Sequence, residues 1–244
     1  MPTLYLDCAT GVSGDMLLAA LCDAGRLCPF LEEQAALLPL QGFRLECAEA
    51  RVAGIVTRRV RVLQTLSQPL RHLAELTAIV EAAPFSERVR KEALAVLKLL
   101  GEAEAKVHGV PLDQVHFHEI GAVDTLVDVT GTLLLVEKLG VTRILASAVN
   151  LGSGFVDMAH GRFPVPAPAC AELSKGMKTF STELGMEAAT PTGLALVKRL
   201  AQGYGPLPAG TVQAVGYGSG TRSTDERPTF VRAFLIDEEE GDAA

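Results

Sequence analysis

The chain has 244 residues, of which 48% are hydrophobic and 21% are charged, so it can bury a sizeable core and is not disordered. Its net charge of −7, without a dense block of Lys or Arg and without Trp, argues against nucleic acid as the main partner. Charges interrupt the apolar stretches and no secretory signal is visible, so the sequence predicts a cytoplasmic protein without a membrane partner. The five cysteines form no CxxC pair, which predicts free thiols in a reducing compartment.

The first predicted unit is a strand, a glycine-containing turn and a helix. The strand ends at Asp7, and the helix covers residues 17–24. Thr10 or Ser13 can cap this helix, and the free N–H groups at its start favour an anion. Asp15 falls in the first turn and is a candidate for the site, since ligands of α/β folds gather at such ends. The turn is not a Walker A loop because no Lys follows its glycines.

The next part of the chain predicts helices and one strand pair. The helices cover residues 29–39, 70–82 and 86–107, and the strands cover 43–50 and 55–66. Four arginines between 51 and 61 predict a solvated sheet face, with a phosphate- or carboxylate-binding face as the alternative. We expect His72 at the surface and His108 at a helix C-terminus, where its charge is favourable.

The stretch over residues 115–128 organises the rest. Alternating apolar residues predict a strand over 115–120, on which His116 and His118 share one face. A helix then starts at residue 122, and Asp124 and Asp128 share one of its faces near the N-terminus. Imidazoles and carboxylates at such a junction suit nickel, zinc, copper or iron. The alternative is a capped helix after a polar strand end.

A glycine loop follows the next predicted strand, over residues 143–149. Gly152 and Ser153 lie in this loop, where the glycines admit a ligand to the backbone. His160 is the third histidine predicted near the site, although a turn residue before Gly161 is an equal alternative. A further helix is expected to start at Pro166 or Pro168, since proline is tolerated in the first helical turn.

A second anion site is predicted where the helix over 194–201 begins. Thr190 is a good N-cap, and the hydroxyls and amides of Thr192 and Gly193 complete the turn. A glycine-rich loop with Arg222 is predicted after a strand over residues 212–215.

The interspersed strands and helices predict a single mixed α/β domain, with its strand-to-helix glycine loops gathered on one rim. The domain covers residues 1–236, where the last strand (230–236) ends, and 237–244 form an acidic tail. Because the carboxyl ends of parallel strands share a rim, Asp7 and Asp15 are expected in the same site as the histidines.

Five motifs occur in an order that resembles the LarC family of nickel insertion proteins. They are residues 4–16 (LYLDCATGVSGDM), 115–124 (VHFHEIGAVD), 160–168 (HGRFPVPAP), 190–193 (TPTG) and 216–220 (GYGSG). The resemblance runs from residue 3 to about residue 236. The sequence departs from the family pattern at Cys8, Ala9 and Thr10, where aromatic and Ser residues are usual, and at Thr229, where Asn is common.

The resemblance implies insertion of Ni²⁺ into pyridinium-3,5-bisthiocarboxylic acid mononucleotide, which forms the nickel-pincer nucleotide cofactor of lactate racemase. It further implies dependence on CTP with Mg²⁺ or Mn²⁺, a lyase-class chelatase activity, a homo-oligomer, and a C-terminal LarC-type part carried separately or absent. The predicted roles are catalysis by Asp7, Asp15 and Glu119; substrate binding by Ser13, Gly14, Gly152, Ser153, Thr190, Thr192, Gly193 and Arg222; and metal binding by His116, His118, Asp124, Asp128 and His160. Two alternatives remain: a metal-dependent hydrolase of a phosphorylated small molecule, and a non-catalytic metal-binding subunit.

Overall fold

The computed structural model describes residues 2–67, 71–115, 117 and 122–238. The helices are α1 (Gly14–Gly25), α2 (Cys28–Ala35), α3 (Leu73–Ala82), α4 (Glu87–His108), α5 (Ala122–Lys138), α6 (Pro168–Leu173) and α7 (Pro191–Leu200), with a short 3₁₀ helix at Leu112–Gln114. The strands are β1 (Pro2–Asp7), β2 (Phe43–Val52), β3 (Ile55–Gln64), β4 (Arg143–Ala146), β5 (Val149–Asn150), β6 (Phe155–Met158), β7 (Gly161–Pro164), β8 (Thr179–Phe180), β9 (Gly203–Tyr204), β10 (Gly210–Ser219) and β11 (Phe230–Glu238).

Seven strands form a mixed sheet in the order β2-β3-β10-β11-β1-β4-β9. Strand β1 is parallel to β4 and antiparallel to β11. Two small sheets, β5-β8 and β6-β7, lie apart from it. The prediction of a single α/β domain is therefore confirmed, whereas the gathering of glycine loops on one rim stays a prediction.

Helix α1 is the buried centre of the domain. It packs on β10 and β11 on one side and on α5 on the other, and every residue from Met16 to Cys22 is buried. This explains why its sequence is apolar on all faces and carries no clear amphipathic pattern. Among the described residues, no helix is both long and apolar enough to cross a membrane.

Two glycines of β10 make the close approach of α1 possible. A Cβ on Gly216 would lie 2.0 Å from the Ala20 carbonyl oxygen, and a Cβ on Gly218 would lie 2.1 Å from that of Met16. The sequence predicts a strand that ends at residue 215 and a glycine-rich loop after it. That prediction is wrong, because β10 continues to Ser219 and uses its glycines to pack against a helix backbone.

Three other predicted boundaries also differ. Val115 and Phe117 lie in neither strand nor helix and are both buried, and residues 116 and 118–121 lie outside the described residues. The predicted strand over 143–149 is divided into β4 and β5. Strand β11 continues to Glu238, whose carboxylate accepts a hydrogen bond from the Thr3 hydroxyl at 2.6 Å. Strand β11 thus extends two residues beyond its predicted end at residue 236. Residues 239–244 lie outside the described residues, so the acidic tail stays a prediction.

The cysteines correct another expectation. Cys28 and Cys47 form a disulfide, with their Cα atoms 5.9 Å apart. The prediction that all five cysteines are free thiols is therefore wrong for this pair. Cys8, Cys22 and Cys170 are free and buried.

Candidate functional site

A cleft of about 280 Å³ lies where the N-terminal ends of α1, α5 and α7 meet. Strand β6, the loop before α7 and the loop after β10 complete its walls. Helix N-termini carry unsatisfied N–H groups and a partial positive charge, so this junction can hold anionic groups. Of the residues predicted from sequence, it brings together Ser13, Gly14, Asp15, Asp124, Asp128, Thr190, Thr192 and Arg222.

Three carboxylates meet on one side of the cleft. Asp15 lies in the first turn of α1, while Asp124 and Asp128 lie on successive turns of α5. A Cβ on Gly14 would be only 2.3 Å from Oδ2 of Asp128, so the glycine is what lets the two helices approach at this point. The cluster therefore depends on Gly14 as well as on the three acids.

Burial and neighbouring charges raise the pKa of two of these acids, Asp124 and Asp128. Burial raises the pKa of Asp128 well above its usual value, and the charges of Asp15 and Asp124 raise it further. Burial and the Asp15 charge also raise the pKa of Asp124, against a hydrogen bond from Gln64 that lowers it. A cation among these groups would favour their ionised forms, so the cluster has the electrostatics of a cation site.

Two backbone hydrogen bonds join the turn before α1 to the loop before α7. The Val12 amide donates to the Ala188 carbonyl oxygen and the Thr190 amide donates to the Val12 carbonyl oxygen, each at 2.9 Å. The Thr190 hydroxyl accepts a hydrogen bond from the Gly193 amide at 3.4 Å, which confirms the predicted N-cap. Gly193 does not line the cleft but packs against the turn, since its Cβ would lie 2.5 Å from the Val12 oxygen.

The start of α1 is not capped by a side chain as the sequence predicts. Ser13 is its N-cap residue, yet its side chain makes no hydrogen bond to the helix backbone. The Ser13 hydroxyl instead donates to the Asp15 carboxylate, which also accepts the Met16 amide at 2.9 Å. Asp15 therefore binds the start of its own helix through one carboxylate oxygen, and its side chain also lines the cleft.

The cleft also contains Glu104, an acid that the sequence patterns did not predict for the site. Glu104 of α4 lines the cleft, is buried, and has Oε2 3.2 Å from Nε2 of His108. The rings of His108 and His160 are 5.0 Å apart between centroids. The sequence does contain a signal for Glu104, because its helical spacing places it on the same apolar face of α4 as the buried residues Ala93 and Leu97.

The cleft is strongly acidic among the described residues. Its acidic side chains are Asp15, Glu104, Asp124, Asp128, Asp157 and Glu187. Its cationic side chain is Arg222, whose Nη1 lies 2.8 Å from Oε2 of Glu187. This charge balance suits a divalent cation with oxygen and nitrogen ligands better than a triphosphate.

Several predicted site residues lie elsewhere. Asp7 is in a separate depression, where its carboxylate pairs with Arg232 and accepts the Ala9 amide at 3.0 Å. The structure thus does not bring Asp7 to Asp15.

Gly152 and Ser153 hold their own loop in place through backbone hydrogen bonds. The Gly152 amide donates to the Asn150 side chain, and the Ser153 amide donates to the Met186 oxygen.

The structure describes one of the four remaining predicted site residues. His160 lies in the exposed turn between β6 and β7, beside His108. His116, His118 and Glu119 lie outside the described residues, between Val115 and the start of α5. Their roles stay predictions.

Fold and cleft together define an α/β protein with an acidic cleft suited to a divalent cation. The sequence pattern of the family described as nickel insertion protein matches residues 4–244, and the chain belongs to this family. A Geobacter metallireducens protein whose name also refers to nickel insertion is 44% identical over 243 residues, which are 99% of this chain and 62% of that protein.

Two relatives carry a more specific name, pyridinium-3,5-bisthiocarboxylic acid mononucleotide nickel insertion protein. The one from Staphylococcus epidermidis is 36% identical over 97% of this chain and 60% of its own length. The one from Geobacillus kaustophilus is 36% identical over 98% of this chain and 60% of its own length. The chain therefore spans about three fifths of the curated relatives it matches. No solved structure matches it.

Proposed function

We propose that this chain holds Ni²⁺ and inserts it into pyridinium-3,5-bisthiocarboxylic acid mononucleotide, the substrate in the names of its relatives. The observation that carries the proposal is the meeting of Asp15, Asp124 and Asp128 at helix N-termini in a member of the nickel insertion family. Carboxylates and imidazoles bind Ni²⁺ and release it again, whereas a closed set of four thiolates would retain the ion. The product would be the nickel-pincer nucleotide used by lactate racemase.

The metal would enter as cargo on the α5 side of the cleft. Asp124 and Asp128 are the described candidates for its ligands, with Asp15 close enough to influence both. His116 and His118 precede α5 in sequence and are proposed to complete the ligand set. Glu104 and His108 offer a second carboxylate–imidazole pair, near His160.

The substrate's anionic groups would bind at the helix ends. The hydroxyls of Ser13, Thr190 and Thr192 and the amides of the first turns of α1 and α7 support this assignment. Arg222 can leave Glu187 for a carboxylate or phosphate, since its side chain is 63% exposed.

Forming a nickel–carbon bond on the pyridinium ring also removes a ring hydrogen as a proton. An ionised carboxylate beside the metal can accept it, and Asp15 and Glu104 are candidates because they line the cleft. We propose Glu119 for the same role from sequence alone.

CTP does not fit the described cleft well. A triphosphate with bound Mg²⁺ or Mn²⁺ needs cationic partners, yet Arg222 faces six acids here. We therefore propose that CTP binds to a C-terminal LarC-type part, as the family resemblance implies, supplied as a second polypeptide or as a continuation of the chain. A homo-oligomer and a cytoplasmic location belong to the same proposal.

Mass spectrometry after incubation with Ni²⁺ and the thiolated mononucleotide, with and without CTP and a family C-terminal part, tests this function. A product one nickel heavier, less the protons released, is expected only in the complete mixture. Asp128→Asn should remove most product, while Asp113→Asn, an exposed acid outside the cleft, should leave it unchanged. Phosphate release without nickel incorporation would favour the hydrolase alternative, and nickel binding without product in the complete mixture would favour a metal-binding subunit.

A further inference from the structure

A second cluster of metal-ligating side chains lies at the other end of α1. It consists of Cys22 near the end of α1, Cys28 at the start of α2 and Cys47 in β2. Their three sulfur atoms all lie within 4.8 Å of one another. Eight residues separate Gly14 from Cys22, so the cluster is about 12 Å along the helix from the acidic cleft.

The three sulfurs are close enough to meet around one ion once the disulfide is reduced. A Zn–S bond is about 2.3 Å long, so sulfurs around one ion are about 3.8 to 4.0 Å apart. A disulfide holds its sulfurs about 2.05 Å apart, so those of Cys28 and Cys47 must separate by about 2 Å after reduction, while Cys22 Sγ already lies within 4.8 Å of both. Three elements that are distant in sequence therefore bring three sulfurs to one place.

The surroundings favour a negatively charged centre. A depression lined by the three cysteines also contains Arg26, Arg58 and Asp23. Arg58 Nη2 is 3.6 Å from Oδ1 of Asp23, and its buried Nε has no hydrogen-bond partner among the described residues. Three thiolates around a divalent ion carry a net charge of −1, which this guanidinium can offset.

We propose that the reduced protein binds one thiophilic divalent cation through the sulfurs of Cys22, Cys28 and Cys47, and that the Cys28–Cys47 disulfide is the metal-free, oxidised form. A dithiol reductant supplies two electrons and two protons to break the S–S bond. Three thiols then lose three protons to solvent as three S–metal bonds form. Re-oxidation by a small-molecule disulfide, which accepts two electrons from the Cys28 and Cys47 thiolates and two protons from solvent to become two thiols, re-forms the S–S bond, removes two ligands and releases the ion.

The disulfide alone gives the third thiol no role. Cys22 is buried, and its sulfur lies within 4.8 Å of the sulfurs of Cys28 and Cys47. A three-sulfur metal site uses all three side chains, whereas the Cys28–Cys47 bond uses two. The cluster is separate from the acidic cleft, so metal binding by these thiols is independent of nickel insertion.

Co²⁺ titration of the full chain, reduced with a phosphine and freed of reductant under argon, tests the proposal. We expect thiolate-to-cobalt charge-transfer bands that saturate at one equivalent, disappear on adding Zn²⁺, and are absent from the unreduced protein. Native mass spectrometry should show one bound ion. Cys22→Ser should weaken Co²⁺ binding at least about tenfold, and so should Cys47→Ser, which changes a half-buried strand position.

Cys8→Ala is the matched control, because Cys8 is buried but lies outside the cluster. It should keep the bands of the wild type. Circular dichroism shows whether each variant folds. If Cys22→Ser or Cys47→Ser does not fold, the Co²⁺ affinity of the other variant decides whether the cluster binds the metal. Absence of thiolate bands in the reduced wild type would overturn the proposal, and so would wild-type affinity in a folded Cys22→Ser or Cys47→Ser protein.

Discussion

Replacing Gly218 by Ala should displace α1 from the sheet and so disturb the cleft without touching it. The new Cβ would lie 2.1 Å from the Met16 oxygen and 2.3 Å from the Ala20 nitrogen, both backbone atoms of α1. A side-chain rotamer change cannot relieve such a contact, so strand or helix must move. Inserting a methyl group into a packed core commonly costs about 1–3 kcal/mol, and a backbone clash belongs at the upper end.

Thermal unfolding measures this effect directly. For a chain of this size, about 3 kcal/mol corresponds to a fall in Tm of about 6–12 °C. Gly205→Ala is the matched control, since no atom lies within 4 Å of the position that its new Cβ would take, and its stability should change by less than about 1 kcal/mol. Equal Tm values for the two variants would refute the claim that the β10 glycines exist for helix packing. Nickel affinity should fall only in Gly218→Ala, because α1 carries Asp15.

Three further changes test other parts of the structure. The raised pKa of Asp128 means that the folded metal-free protein retains a proton which the unfolded chain loses, so its stability should fall as the pH rises from about 4; urea unfolding of Asp128→Asn should show a flatter pH dependence. Asp7→Asn should cost about 1–2 kcal/mol in chemical denaturation through loss of its pairing with Arg232, with nickel affinity by calorimetry unchanged; a selective loss of nickel binding would return Asp7 to the site. Thr190→Ala should lower stability by about 0.5–1 kcal/mol as its long cap bond to Gly193 is lost, whereas an unchanged Tm would assign that cap no energetic role.

Local patterns were sufficient to predict most elements. The N-cap Thr190 predicts the start of α7, which the structure confirms. The starts of α4 and α5 and the strand pair β2–β3 are also predictable, because they depend on neighbours in sequence.

Contacts between residues that are distant in sequence could not be predicted from local patterns. The Gly216 and Gly218 positions looked like a loop because glycine usually breaks strands, and only the crossing of α1 explains them. The pairing of Cys28 with Cys47 depends on α2 lying against β2. Similarly, strand ends suggested that Asp7 and Asp15 share a site, but Arg232 on the neighbouring strand β11 holds Asp7 away from the cleft.

The acidic cluster explains why a labile metal site would be placed at this junction. The packing of α5 on Gly14 brings Asp128 close to Asp15, and burial, together with the charges of Asp15 and Asp124, raises the pKa of Asp128, so its protonated form is favoured when no cation is present. If Ni²⁺ binds here as proposed, it would displace a proton, and its departure with the substrate would let the proton return. Part of the binding free energy of the ion would be lost in this exchange, which would weaken its retention. A cleft that holds its ion less firmly than a closed thiolate site is what metal transfer to a bound nucleotide requires.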